Sequence, residues 1–398
     1  MSTIDQYISE FWSFYQSPIS NEIKFSWLAY AENPYAFYRA FVPLFYKILD
    51  DSTNQYIQNL RSLKQHTGWV VGDPHPANFG AILIDKTPIK QSIIYSVNDP
   101  DDGYGDSPMY IDLLRFLTGV RIIGNSPVKK ILKAYLHGLN GKALTKQPRE
   151  VKICLKQIRQ KERRLKKRDY IQSFNDLKKR ASTDIENLST QKLTALQTLL
   201  IEQWQDFELK IIQGFEYIRT KGGSGGLSRK VLLVKFSNRK HPSRISHSKW
   251  MIVEFKQIRK PSSQHLSELT TNQLKEAQKQ SHKWQSLNKP SKLYWFVNSR
   301  EFTNCHQSVA DQVWFVRPRW VENPVIDPLT VLRKKQRIQL YLYQAKVLGN
   351  LHRIKALNRK TYHDDIKQIK AKQWKKAAKY AADKLNKLWQ NKDQISVD

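Results

Sequence analysis

Cysteine is almost missing from this chain: two in 398 residues, Cys154 and Cys305. Two cysteines build no disulfide framework, and neither stands in a zinc-binding spacing. A reducing, cytoplasmic setting is therefore the expectation. No apolar run approaches the length that crosses a bilayer. The opening MSTIDQYISEFWSFYQ holds acidic residues and no basic leader, so no secretory signal is expected. It reads as an amphipathic helix with Thr3 as its cap. No internal repeat, long low-complexity linker or recognisable nucleic-acid-binding module is found. Acidic residues are the other shortage: 35 Asp plus Glu against 67 Lys plus Arg, for a formal charge of +32.

What is present is globular. Hydrophobic residues make up 40% and aromatics 11%, enough for a core, and the length suits one large or two ordinary domains. Charge of this size attracts anions: nucleic acid, nucleotide, acidic lipid or a phosphorylated substrate. Lysines spread along helices also serve simply as solvated faces. Two stretches concentrate the charge. Lys129 to Arg180 holds 18 basic and 4 acidic residues, and Val331 to Asp398 holds 18 and 5. Both are expected to be helical, and the KERRLKKRD segment is read as a solvated face.

Hydrophobic periodicity divides the chain into three parts. The first is mostly helical, including AFYRAFVPLFYKILDD, a basic region from 128 to about 215, and LTALQTLLIEQWQDFELKIIQ as its clearest amphipathic stretch. Two short strands, AILID and QSIIYSV, interrupt it as a hairpin, followed by a turn-rich acidic DPDDGYGDSP and the helix MYIDLLRFLTGVRII. The second part, residues 216–322, is strand-rich: a glycine-rich turn, VLLVKF, WMIVEFKQI, KLYWFVNS and QVWFVRPRW, with one helix, ELTTNQLKEAQKQSHKW, between. The third part, 323–398, is helical again.

The chemistry-bearing stretch is VVGDPHPANFG. Asp73 and Asn78 stand in the spacing D-x-x-x-x-N. That spacing suits an Asp that takes or orients a hydroxyl proton beside an Asn that holds magnesium. Magnesium prefers oxygen ligands and binds through one or two carboxylates plus substrate phosphates, and an Asn adds an oxygen without a repelling charge. Asp99, just after SIIYSV, is expected to return beside Asn78 on the hairpin as a second metal ligand, with Asp101 and Asp102 as rivals. His75 either fixes the loop or acts as a base. The bland alternative for Asp73 and Asn78 is turn chemistry, since both types favour loops.

GDPHPANFG followed by VNDPDDGYGDSPMYIDLLR resembles the aminoglycoside-phosphotransferase branch of the protein-kinase-like folds. More specifically, it resembles the bacterial family called domain of unknown function 2252, with its G-D-x-H-x-x-N-F-G and N-D-x-D motifs. The resemblance extends to GGSGGLSRKVLLV, MIVEFKQI and LGNLHR, and runs over residues 35–385. It implies an α+β, two-lobed, kinase-like fold in circularly permuted order. A helix-rich large lobe (1–215) with the catalytic loop comes first, then a small antiparallel-sheet lobe (216–322), then returning helices (323–398). It further implies ATP and magnesium as cofactors and a hydroxyl-bearing acceptor of unknown identity. Gly222, Gly223, Gly225 and Gly226 are expected to bring backbone N–H groups to phosphate. Lys256 is expected to reach the α and β phosphates, with Lys235 and Lys260 as rivals, and Glu276 or Glu268 to pair with it. Asp112 is expected to be a buried acceptor or a helix cap. Arg317 and Arg319 could touch phosphate, but a solvated face is the favoured reading. GGSGGLS is neither a Walker loop nor a full G-x-G-x-x-G. A catalytically silent nucleotide-binding scaffold and a basic nucleic-acid-binding protein are the competing functions.

Overall fold

A computed structural model of the chain describes residues 21–50, 53–83, 93–99, 102, 104–124, 127–142, 146–181, 185–205, 207–219, 226–238, 250–258, 295–298, 313–319, 321, 325–329, 333–355 and 359–392. Helices α1 (Asn21–Tyr30), α2 (Pro34–Ala40) and α3 (Val42–Leu49) come first. Asn33 caps α2 by accepting the Ala36 N–H at 2.9 Å, with Pro34 in the first turn. The helical stretch AFYRAFVPLFYKILDD is thus two helices. Phe41, just ahead of Val42–Pro43, leaves the helical region at φ −108°, ψ 55°. Pro43 carries no N–H to continue the ladder.

After the short α4 (Gln55–Gln58), β1 (Thr67–Val70) leads into the GDPHPANFG loop, followed by the hairpin β2 (Phe79–Leu83) and β3 (Ile93–Val97). Its antiparallel register pairs Phe79 with Val97, as the sequence led one to expect. Tyr104–Pro108, read as turn, is instead β4, and it pairs antiparallel with β1. A Gly-, Asp- and Pro-containing pentapeptide has little strand propensity of its own; the free edge of β1 supplies the reason.

Then follow α5 (Tyr110–Ile123), α6 (Val128–Leu139), α7 (Arg149–Arg164), α8 (Lys167–Arg180), β5 (Ile185–Asn187) and α9 (Thr190–Gln203). The basic stretch is helical and solvent-facing, with a break at Leu165 between α7 and α8. Beyond Trp204 the helical reading fails. Phe207–Arg219 is a thirteen-residue strand, β6. Its pairing slips between Ile211 and Gln213, and this bulge spaces Leu209, Ile211, Ile212 and Phe215 like a helix face.

β7 (Leu227–Asn238), β8 (Trp250–Ile258), β9 (Trp295–Asn298) and β10 (Val313–Arg319) complete a six-stranded sheet in the order β5-β6-β7-β8-β10-β9. Every pairing in it is antiparallel. α10 (Lys334–Lys355), α11 (Arg359–Gln368) and α12 (Ala371–Gln390) close the chain. The fold class is thus mixed α+β: helices, an antiparallel sheet, then helices.

The main core joins Trp27, Phe37, Phe41 and Phe45 from the first helices to Leu113, Phe116 and Leu117 of α5, and to Leu348 and Trp374 of α10 and α12. α6 and α10 cross backbone to backbone at two glycines. A Cβ on Gly138 would lie 2.0 Å from the Lys346 carbonyl oxygen, and one on Gly349 would lie 2.1 Å from that of Tyr135. This close crossing brings His352 of α10 to Tyr135 of α6. Among the described residues no helix is long and apolar enough to cross a membrane.

Candidate functional site

The loop after β1 is fixed from below. Gly72 takes φ +80°, and a Cβ there would meet the Asp102 carbonyl oxygen at 1.9 Å. Only glycine fits this turn. Asp112, fully buried on α5, accepts the N–H groups of Val71 (2.5 Å) and Gly72 (3.0 Å). This is the buried-acceptor reading of Asp112 rather than the cap. His352 reaches the same carboxylate through Nε2 at 3.0 Å. A carboxylate only accepts, so Nε2 carries a proton, and Nδ1 lies 2.5 Å from the Tyr135 hydroxyl. Tyr362 extends the network, 3.1 Å from Tyr135.

Asp73 borders the cleft. Arg115 Nε donates to its Oδ1 at 2.8 Å, and Nη2 lies 2.7 Å from the same atom. The Arg115 side chain is 0% exposed. Burial disfavours its charge, but Asp73 and the tyrosines around it outweigh this and hold the guanidinium above its ordinary pKa. Asp73 Oδ2 is the oxygen on the His75 side, 3.5 Å from Nε2. His75 is buried, and burial, with Arg39 and Arg115 nearby, pushes its pKa well below 6.5. It is a neutral imidazole at neutral pH, with Nδ1 3.4 Å from the Tyr35 hydroxyl, and Tyr35 also accepts the Ala77 N–H at 3.1 Å.

Asn78 ties the two motif elements together. Its amide nitrogen donates to the backbone carbonyls of Asp73 and Asp99, both at 2.8 Å. Both neighbours are acceptors, so the amide can take only this orientation, and Oδ1 is turned away from them. The β2–β3 pairing brings Asp99 here: Asn98 N donates to the Asn78 carbonyl at 3.2 Å, directly beyond the Phe79–Val97 pair.

The other wall is the sheet. Lys256 of β8 donates to both oxygens of Asp99, at 2.9 and 2.8 Å. Arg317 of β10 lies 3.2 Å from Asp99 Oδ1 and 2.8 Å from Glu254, and Arg319 lies 2.8 Å from Glu254. Opposed residues of paired strands share a face. Lys256 stands opposite Arg229 and Phe315, and Glu254 opposite Arg317, so one face gathers all these charges. The solvated-face reading of Arg317 and Arg319 is therefore corrected: both line the cleft, held inward by buried Glu254. Burial would raise the Glu254 carboxyl, but Arg319, Arg317 and Arg229 hold it well below its usual range.

Between these walls lies a cleft of about 920 Å³, bordered by Asp73, His75, Asn78, Asp99, Lys256 and Arg317 among others. The oxygens of Asn78 and Asp99 form a hard donor set suited to magnesium, which takes its remaining ligands from phosphate and water. Among the described residues no group of three or more His, Cys, Asp or Glu converges on a metal position, and magnesium held this way needs none. The structure brings Asp73, His75, Asn78, Asp99 and Lys256 to one cleft. Lys235 is solvent-exposed and drops out as a rival to Lys256. Gly226 does not serve as expected: its N–H donates to the Arg219 carbonyl, closing the β6–β7 hairpin. Asp101, Gly222, Gly223, Gly225, Lys260, Glu268 and Glu276 lie outside the described residues.

Sequence reading missed Arg115, Tyr35 and His352. Arg115 left one signal: it is the single charged residue between Leu113 and Val120 on a helix otherwise apolar enough to be buried, and a charge in such a run has to be paired.

Neither the curated proteins nor the solved structures contain a match to this chain. The late LGNLHR helix lies beyond the family-matched segment. That segment, residues 21–282, covers well over half of the chain and spans the Asp73 loop, the Asp99 hairpin and β8, and the chain belongs to the family described as "Uncharacterized protein conserved in bacteria (DUF2252)".

Proposed function

We propose that this protein is an ATP- and magnesium-dependent phosphotransferase acting on a hydroxyl, built as a circularly permuted, two-lobed kinase-like fold. The observation that carries the reading is the Asn78 amide. It spans the backbone carbonyls of Asp73 and Asp99, so the residues bearing the acceptor-side carboxylate and the strand-end carboxylate are tied into one frame through Asn78.

Each residue then has a task. Arg115 fixes Asp73 through Oδ1, and Oδ2 would accept the proton of the attacking hydroxyl. His75 stays neutral and orients the loop. Lys256 and Arg317 receive phosphate oxygens, for which they must release Asp99. Magnesium, held by Asn78 and Asp99, would neutralise developing charge on the phosphates. Transfer forms a bond from the acceptor oxygen to the γ phosphorus and breaks the bond from that phosphorus to the β–γ bridging oxygen. ADP leaves with that electron pair, and the hydroxyl proton goes to Asp73. The order of parts, with the catalytic loop ahead of the lysine strand, supports the permuted topology.

The test is ADP release from ATP and magnesium, with cell-extract metabolites as acceptors, for wild type and Asp73→Asn. Loss of at least a hundredfold in turnover, with nucleotide binding kept, is expected. Equal turnover in the two proteins would remove Asp73 from the reaction.

A further inference from the structure

Arg39, in the last turn of α2, lines the cleft on its helical wall, alongside Asp73, His75 and Ala77. Its guanidinium carbon stands 5.9 Å from the Tyr35 ring centroid. The Tyr35 hydroxyl in turn touches His75 and the Ala77 N–H. One aromatic ring thus separates Arg39 from the loop that carries Asp73.

On the sheet side of the cleft, Lys256 is engaged by Asp99, Arg317 by Asp99 and Glu254, and Arg319 by Glu254. Arg39 differs. Among the described residues no carboxylate lies within ion-pair distance of it; its Nε is buried within the protein, so a ligand in the cleft would meet the terminal nitrogens of the half-buried side chain. The planar fork suits an oxyanion, which it can bind through two parallel hydrogen bonds. Its charge also reaches His75, where it is the largest influence after burial in keeping the imidazole neutral. Arg39 therefore belongs to the Asp73 side of the cleft, whereas Lys256 and Arg317 belong to the sheet side.

We propose that Arg39 anchors an oxyanion on the acceptor: the molecule phosphorylated here is a small alcohol that already bears a phosphate or carboxylate, held with that group on Arg39 and its hydroxyl toward Asp73. This rests on the phosphotransferase reading. The bond changes are those of hydroxyl phosphorylation, and the second anionic group takes no part in them.

The test compares glycerol, glycerol 3-phosphate and glycerate as acceptors with ATP and magnesium, in wild type, Arg39→Ala and Arg39→Lys. Wild type is expected to favour an anionic member, the phosphate and carboxylate arms showing which. Arg39→Ala should raise the KM for that member at least tenfold with kcat within about threefold, and Arg39→Lys should recover part of the loss. Unchanged KM in Arg39→Ala, or a preference for glycerol, overturns the proposal. If none of the three turns over, binding decides. Inorganic phosphate and acetate are titrated calorimetrically into protein saturated with a non-hydrolysable ATP analogue and magnesium. Binding by wild type that weakens at least tenfold in Arg39→Ala supports the oxyanion site, and equal binding or none refutes it. If the ATP analogue itself fails to bind, the phosphotransferase reading fails separately. Phosphate titrated into Lys256→Ala, with and without Arg39→Ala, then reads the Arg39 site alone by the same criterion.

Discussion

Lys256 and Asp99, 157 residues apart in the chain, meet across the cleft with the Lys256 ammonium on both carboxylate oxygens. The Lys256 side chain is 4% exposed and that of Asp99 31%. Burial disfavours the Asp99 anion, yet Lys256 and Arg317 outweigh it and hold the carboxyl well below its usual range. Asp99 thus occupies Lys256 in this arrangement; under the proposed function, phosphate would take its place there. Lys256→Met should therefore weaken ATP binding by about 10- to 100-fold, the worth of one to two charge-assisted hydrogen bonds. Titration of a fluorescent ATP analogue checks this, and unchanged affinity would take Lys256 out of the phosphate contact.

Asp112→Asn tests the support beneath the loop. An amide keeps the shape but brings two donors to a place where Val71, Gly72 and His352 all donate. With the site fully buried, a loss of about 2–4 kcal/mol in urea unfolding is expected. A loss under about 0.5 kcal/mol would mean that the network contributes little.

Gly72→Ala should be severe for a different reason. Its positive φ and the 1.9 Å approach to the Asp102 carbonyl leave no room for a methyl group. The chain has to move Asp102 or the loop, at a cost of about 1–3 kcal/mol or more. Turnover should fall further than stability does, since the displaced segment carries Asp73 two atoms of loop away. A thermal midpoint and an ADP-release rate measured on the same sample separate the two effects.

His75 gives a pH signature. Its folded pKa lies well below 6.5, so below pH 6.5 the unfolded chain binds a proton that the folded chain does not. Stability is then full above that pH and falls as pH drops toward the folded pKa, by up to about 1.4 kcal/mol per pH unit. His75→Gln should remove this part of the slope in urea titrations between pH 7 and pH 5. Parallel slopes in the two proteins would show that His75 takes up its proton in the fold.

What the sequence made legible was local. Asp73 and Asn78 share one loop, and Asp99 follows an apolar strand, so spacing and one hairpin sufficed to join them. Asp112 was legible as a charge at the head of an apolar helix. Arg115 and His352 were hidden because they reach the site from α5 and α10, and no periodicity records which helix face meets which loop. Arg317 and Arg319 resemble any exposed basic pair until the register sets Arg317 opposite Glu254. β6 was misread because its bulge imitates a helical spacing, and β4 because pairing with β1 overrides its propensity.

The proposed nucleotide–magnesium site between Asn78, Asp99 and Lys256 is read most directly from the thermal midpoint. Wild type and Asp99→Ala are unfolded with ATP plus magnesium and with ATP plus EDTA. At a hundred times its dissociation constant a ligand adds about 2.7 kcal/mol, so wild type should melt several degrees higher with magnesium present, and Asp99→Ala should show no such shift. A wild-type midpoint indifferent to ATP and magnesium, in protein that unfolds cooperatively, would contradict the account.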